Sequence, residues 1–294
     1  MISAWFRVIR IRFLLASVIA VSVGLAITWW HSSNVTVIDA ILTMAGVLAL
    51  HASVDLFNDY WDFKRGIDTT TKRTKMSGGT GVLPEGILKP RQVYAGGIIF
   101  LVIGTIIGLY FVITDGIIIG IILAFAVISI YFYSTKIVNW GLAEVFVSIK
   151  GTLIVIGTYF IQTSQINESI IFGGIVVGVL SSLVLFITSF PDHDADKAKG
   201  RKTLVISLGK KRASIIIWIF PAIVYGITIS TVIAQIFPVT CLIIIATFPL
   251  IIISYQKLKC AYNDINKLIP IMSSTLVYSR LTGALLVAGF LLSL

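Results

Sequence analysis

"NDYWDFKRGID", residues 58–68, interrupts a chain built mostly of Ile, Val, Leu, Gly and Ala, and brings three aspartates and one asparagine with it. The apolar run before it, residues 36–56, is long enough to cross the roughly 30 Å hydrocarbon layer of a bilayer, so the polar cluster sits where a membrane helix emerges. The whole chain supports that reading. Of its 294 residues, 57% are hydrophobic and only 12% charged, and the mean hydropathy is +1.00. A soluble domain carries about a quarter charged residues, so the composition excludes a soluble protein and indicates an integral membrane one.

Eight further runs of similar length lie at 13–30, 93–113, 117–133, 140–160, 169–190, 214–235, 238–255 and 269–292. Together they predict an all-α, polytopic membrane protein: nine transmembrane helices in one bundle around a central cavity open to the cytoplasmic side. The first run follows Arg7, Arg10 and Arg12 but leads into Trp29 and Trp30 without a clear small-residue cleavage site. It reads as a retained helix, not a secretory signal. Cys241 and Cys260 have no Cys or His at ligand spacing and read as packing residues.

Alternate connections test this topology. Those on the side of the N-terminus hold 21 of the 23 Lys and Arg; the opposite ones hold none, and Lys150 and Arg280 fall inside runs. The positive-inside rule therefore makes the N-terminus and the charged loops cytoplasmic in a multi-pass cell membrane protein. The net charge of +10 then reflects topology, anionic headgroups and an anionic substrate, and not nucleic acid.

A second polar insertion, "FPDHDADKAKGRKT" at 190–203, follows the sixth run on that same side. Asn58 and Asp62 in the first insertion, and Asp192 and Asp196 in the second, stand four residues apart, which puts each pair on one helical face. Basic residues follow both. The chain thus reads as a single domain over 1–294 made of two related halves, about 1–135 and 136–294. Paired carboxylates backed by cations suit Mg²⁺, which takes one or two carboxylates and completes its shell with water and phosphate oxygens. The cations would neutralise charge growing on a departing diphosphate. The competing reading, two solvated connecting loops, is weakened by the pairing.

These two motifs resemble those of the UbiA-type intramembrane prenyltransferases. That family carries Asn-Asp-x-x-Asp after its second helix and Asp-x-x-x-Asp after its sixth, matched here by Asn58, Asp59 and Asp62 and by Asp192 and Asp196. "YSTK" at 133–136 looks like the family's Tyr-rich segment leading to a basic diphosphate contact. Where the commonest first motif has a further Asp, this chain has Gly66, and the acid arrives at Asp68. That variant, with "SGGTGVLPEGILKPRQ" at 77–92, is similar to the MenA branch, which prenylates dihydroxynaphthoate in menaquinone synthesis.

The resemblance implies a Mg²⁺-dependent enzyme, with two ions, that transfers a polyprenyl group from an isoprenoid diphosphate to an aromatic or lipid acceptor and releases diphosphate. It implies Asp62, Asp68, Asp192 and Asp196 as metal ligands and Asn58, Asp62, Asp192, Asp196 and Lys136 as the catalytic set. Asn58, Arg73, Lys75, Lys136, Arg201, Lys202, Tyr133 and Arg10 would contact the donor. An acceptor of the 4-hydroxybenzoate, glyceryl-phosphate-lipid, chlorophyll or haem type stays open. So, from another class, does a cation transporter, against which both acid clusters lying at one membrane face argue.

Helical geometry adds one expectation. Residues six apart in an unbroken helix diverge by about 120°, so Asp68 reaches the same cavity as Asp62 only if the helix breaks near Gly66. Asp59 is read as pointing to a different face from Asp62. His51, on the face of Asn58, reads either as an acceptor contact or as a hydrogen-bonded core histidine. Asp55 reads as support for Asn58 or as a helix-end group. Lys150 and Arg280 are expected to face the bundle interior, or to pair with Glu144 or Asp55 or snorkel to the headgroups. The glycines at 78, 79 and 81 allow the 69–92 loop to act as a lid or as a plain connector.

Overall fold

The computed structural model describes residues 2–68, 73, 74 and 76–293. All regular structure among them is helical: α1 (Ile2–Val8), α2 (Ile11–Ser32), α3 (Val37–Lys64), α4 (Pro90–Asp115), α5 (Ile117–Tyr133), α6 (Ala143–Thr163), α7 (Glu168–Ala198), α8 (Leu204–Leu208), α9 (Lys210–Ile216), α10 (Ile219–Ile233), α11 (Pro249–Ala261) and α12 (Ile265–Leu291). With no water in hydrocarbon to satisfy the backbone, apolar runs of this length close their hydrogen bonds internally as helices. Local signals set their ends. Pro90 opens α4, the Asn167 side chain accepts from the Ile170 amide at the start of α7, and Gly116, at φ 92°, separates α4 from α5.

Each apolar run of the sequence is helical, but the helices differ in reach. Among the described residues seven spans are long and apolar enough to cross a membrane, counting α9 and α10 as one. An eighth is added if the short 3₁₀ segment Val239–Thr247 and α11, bent by 40° at their junction, form one span. α5 has only 17 residues, about 26 Å at the helical rise.

α7 is the most buried span and packs along α6, α10 and α12, while α3 packs along α4. The α6–α7 contact is close because Gly174 and Gly178 lie against Thr152 and Ser148; a Cβ at Gly178 would strike the Ser148 carbonyl. The Thr152 hydroxyl donates to the Gly174 carbonyl at 3.1 Å. Small residues that let backbones meet are the usual substitute for hydrophobic driving force inside lipid.

α3 ends at Lys64, as the sequence predicts for this region. Gly66, at φ 71°, turns the chain, and the Ile67 amide donates back to the Asp62 carbonyl at 2.9 Å. The turn carries Asp68 inward. Gly79, at φ 72°, lies flat against the Asp68 carboxylate, so that a Cβ there would run into it, whereas Gly86, at φ 69°, has open space around it. Gly86→Ala should therefore cost only the left-handed backbone term, about 1–2 kcal/mol. Gly79→Ala should cost clearly more and displace Asp68, readable as a larger loss of melting temperature for the detergent-purified protein; equal losses would show the contact to be soft.

Candidate active site

The acids at the end of α3 and those at the end of α7 meet at the mouth of one cavity of about 260 Å³. Asn58, Asp62, Asp68, Tyr133, Asp192, Asp196, Arg10 and Arg201 all line it. Helical periodicity puts Asp192 and Asp196 on one face of α7, while Asp194 turns outward to Lys210, at 3.0 Å, and to His193.

Arg201 joins the two acid sets. One guanidinium nitrogen, Nη2, pairs with Asp62 Oδ1, and Nη1 donates to Asp196 Oδ1 at 3.2 Å. Burial works against the charge of Arg201, but Asp62 and Asp196 outweigh it and raise its pKa further. The loop around it is pinned by backbone bonds: the Arg201 amide to the Asp196 carbonyl at 3.0 Å, and the Lys202 amide to the Val138 carbonyl at 3.0 Å. The Leu204 amide donates to Glu144 Oε1 at 3.0 Å, so Glu144 anchors this loop and is no partner for Lys150.

Asp59 is fully buried and, unlike Asp62, does not line the cavity. It accepts from the Thr80 amide at 3.1 Å, the Thr80 hydroxyl at 2.8 Å and Arg10 at 3.4 Å, and so fastens the following loop to α3. The Gly78 amide donates to Asp192 Oδ2 at 3.2 Å, which closes that loop over the cavity mouth. Burial opposes the charge of Arg10, but Asp59, Asp55, Asp68 and Asp62 more than offset it and raise its pKa. Asp68 moves the other way: burial, then the charges of Asp62 and Asp59, push its carboxyl up to about 8.

The remaining expected donor contacts lie elsewhere. Lys136 follows the end of α5, where the chain enters a 3₁₀ turn, and its ammonium sits over the Phe132 ring, 4.7 Å from the centroid. Arg73 pairs with Glu85 and also reaches the Thr80 carbonyl at 3.4 Å, outside the cavity. Hydrogen bonds from Arg7 and Arg73 push the Glu85 carboxyl down to about 2, so this anion holds both cations at the loop surface. Lys202 contributes its backbone, and its side chain is not part of the lining. Lys75 lies outside the described residues. What sequence reasoning missed is the Asp59–Thr80–Arg10 tie; its partners are far apart in the chain, and no spacing announces them.

Do these residues suit a divalent cation? Asp68 Oδ2 and Asp192 Oδ1 are buried without a hydrogen bond, the oxygen chemistry that a hard cation takes. Among the described residues no three acidic, Cys or His side chains form a ready-made cage. The donor set fits an ion that completes its shell with phosphate oxygens, and Arg201 holds part of the space between the two acid sets.

The chain is similar to known proteins along most of its length. The 1,4-dihydroxy-2-naphthoate octaprenyltransferase of Bacillus subtilis is 27% identical over 215 residues, covering 71% of this chain and 67% of the relative. That of Escherichia coli is 26% identical over 222 residues, covering 71% and 70%. Among solved structures, a UbiA homolog from Aeropyrum pernix K1 superposes with a TM-score of 0.71 at 18% identity, over 95% of this chain and 97% of the other. A homolog from Archaeoglobus fulgidus, bound to GPP and Mg²⁺, gives 0.64 at 16% identity, over 96% and 99%. The sequence profile of the UbiA prenyltransferase family matches residues 17–269, and with that match spanning most of the chain, the protein belongs to this family and is a membrane prenyltransferase.

Proposed function

We propose that this protein transfers a polyprenyl group from an isoprenoid diphosphate to an aromatic acceptor, in a menaquinone-type quinone synthesis, with Mg²⁺ held by Asp62, Asp68, Asp192 and Asp196. The observation that carries the reading is the convergence of two acid sets, Arg10 and Arg201 on one cavity mouth, above walls of Phe13, Ala20, Ile130, Phe146, Val184 and Leu185. Acids and cations suit a metal-bridged diphosphate, and the apolar walls suit an isoprenoid tail. Nine spans, counting the short α5 and the bent pair, form one domain of two related halves, with the mouth on the cytoplasmic side that the basic loops mark.

Mg²⁺, when bound, supplies positive charge that stabilises the leaving diphosphate. The chain's own residues do the rest. Asn58, whose side-chain oxygen accepts from the Ser134 hydroxyl at 3.2 Å, keeps its amide group fixed beside the mouth. Arg10 and Arg201 carry fixed positive charge to where negative charge grows as the C1–oxygen bond breaks, which favours the transition state over the ground state. The oxygen keeps the bonding pair and leaves with the diphosphate, a ring carbon of the acceptor bonds to C1, and the ring then loses a proton. The Gly78 contact to Asp192 and the apolar walls keep water from quenching the allylic cation.

Purified protein incubated with Mg²⁺, geranylgeranyl diphosphate and a panel of aromatic acceptors should give a prenylated product by mass spectrometry, and chelation should abolish it. Asp62→Ala and Asp192→Ala should each lower turnover by orders of magnitude while the protein stays folded; near-normal activity in either would sink the two-cluster arrangement. Arg201→Ala should raise the apparent KM for the donor much more than Lys136→Ala, and the reverse order would return Lys136 to the site.

Asp68 gives a pH test. Its folded pKa, about 8, lies above the ordinary carboxylate value of about 4. Between those values the folded chain holds a proton that the unfolded chain has lost, so stability falls as pH rises through that window. Asp68→Asn removes that cost. In metal-free protein its melting temperature should exceed wild type most at pH 8 and above, with the gap closing toward pH 4; a gap constant with pH would contradict a buried, protonatable Asp68.

A further inference from the structure

A second, more open cleft lies at the same end of the bundle and shares no lining residue with the cavity. Lys197 of α7 and Lys210, Lys211 and Arg212 of α9 line it, with Asp194 as its one acid among the described residues. Helical periodicity separates the two surfaces. Asp192 and Asp196, four residues apart, turn one face of α7 to the cavity, while Asp194 and Lys197, three apart, turn another to the cleft. Gly209, at φ 76°, bends the chain between α8 and α9 at its rim.

The positive-inside rule accounts for how many cations this end of the protein carries, but not for their gathering around one cleft without acids to match. Other cations at this end close on acids: Arg7 and Arg73 on Glu85, Arg201 on Asp62 and Asp196, and Lys267 on Asp264 at 3.4 Å. In the cleft only Lys210 does so, 3.0 Å from Asp194, which also holds His193 Nδ1 at 2.7 Å. The side chains of Lys197, Lys211 and Arg212 have no hydrogen-bond or ion-pair partner among the described residues. Four cations against one acid leave a surplus of three charges around a concave surface. A single carboxylate would leave most of that surplus standing. A terminal phosphate carries about −1.5 to −2 at neutral pH and three strong acceptor oxygens, which suit a planar guanidinium and two ammonium groups together.

We propose that this cleft is a second anion site, which takes a terminal phosphate group between Lys197, Lys211 and Arg212. The group is either free phosphate or the phosphomonoester headgroup of a lipid. Lys197 follows Asp196 directly, so a phosphate held there ties the end of α7 that bears Asp192 and Asp196 to α9.

The test titrates the full chain, in neutral detergent and free of Mg²⁺, with inorganic phosphate and with dihexanoylphosphatidic acid, and reads binding by calorimetry. Dihexanoylphosphatidylcholine, whose headgroup carries no net charge, is the control. At least one of the two phosphates should bind saturably and the control should not. Lys211→Gln combined with Arg212→Gln should weaken that binding roughly 10-fold, the worth of two surface ion pairs. Lys257→Gln combined with Lys259→Gln removes two exposed cations of α11 and should leave it unchanged. Binding of phosphatidic acid alone assigns the cleft to a lipid headgroup, and binding of inorganic phosphate assigns it to the free anion; both support the site. No saturable binding of either phosphate would overturn it, as would equal weakening in the two double variants, which is the mark of diffuse surface charge. Binding unmoved by the Lys211 and Arg212 changes would place the anion at the mouth with Arg10 and Arg201 and overturn it too. No substrate is turned over in these titrations, so their outcome is independent of the prenyltransferase reading.

Discussion

The bridge that Arg201 makes between Asp62 and Asp196 is the interaction on which the rest of the site depends. Four carboxylates converge at the cavity mouth, and Asp62, Asp68 and Asp196 are buried there. Like charges so placed repel strongly at low dielectric. One guanidinium with a planar fork can serve two carboxylates at once, and it does so between one helix from each half of the chain. Removing one partner of such a buried pair typically costs about 3–5 kcal/mol. That explains why the short loop bearing Arg201 is fixed at its backbone to Asp196, Val138 and Glu144.

A second constraint follows from the break in α3. Once the chain leaves the helix at Gly66, the segment up to α4 must be held against the mouth without regular structure of its own. Thr80 does this from inside, by filling both oxygens of the buried Asp59. Arg7 and Arg73 do it from outside through Glu85. These contributions are unequal. Exposed pairs of the Glu85 kind are screened by water and contribute little, whereas leaving a buried carboxylate such as Asp59 unsatisfied costs about 1–3 kcal/mol or more. The inner tie therefore sets the position of the loop, and the outer one trims it.

The cavity divides by chemistry along its depth. Charge concentrates at the mouth, where Arg201 and Arg10 pair with the acids, and apolar walls lie beneath. The polar level of Ser17, His51, Asp55 and Lys150 is the exception to that gradient. Intramembrane ionisable groups are expensive, and here they lie on a wall shared by α2, α3 and α6, about 10 Å deeper than the acids by helical rise.

The sequence alone determined the membrane class, the alternation of basic loops and the two acid motifs, because those depend on local composition and on spacing within one helix. Asn58 with Asp62, and Asp192 with Asp196, fall on common faces by helical periodicity, and Gly66 marks the break that carries Asp68 inward. The tertiary structure decided which cations serve the acids. Arg201 stands at the mouth, while Arg73 and Lys136, equally basic and equally near a motif in the sequence, are drawn off by Glu85 and by the Phe132 ring. Long flexible cations take whichever acid or ring the fold brings within reach. That reach depends on contacts such as Arg201 to Asp62, 139 positions apart, which no local spacing encodes.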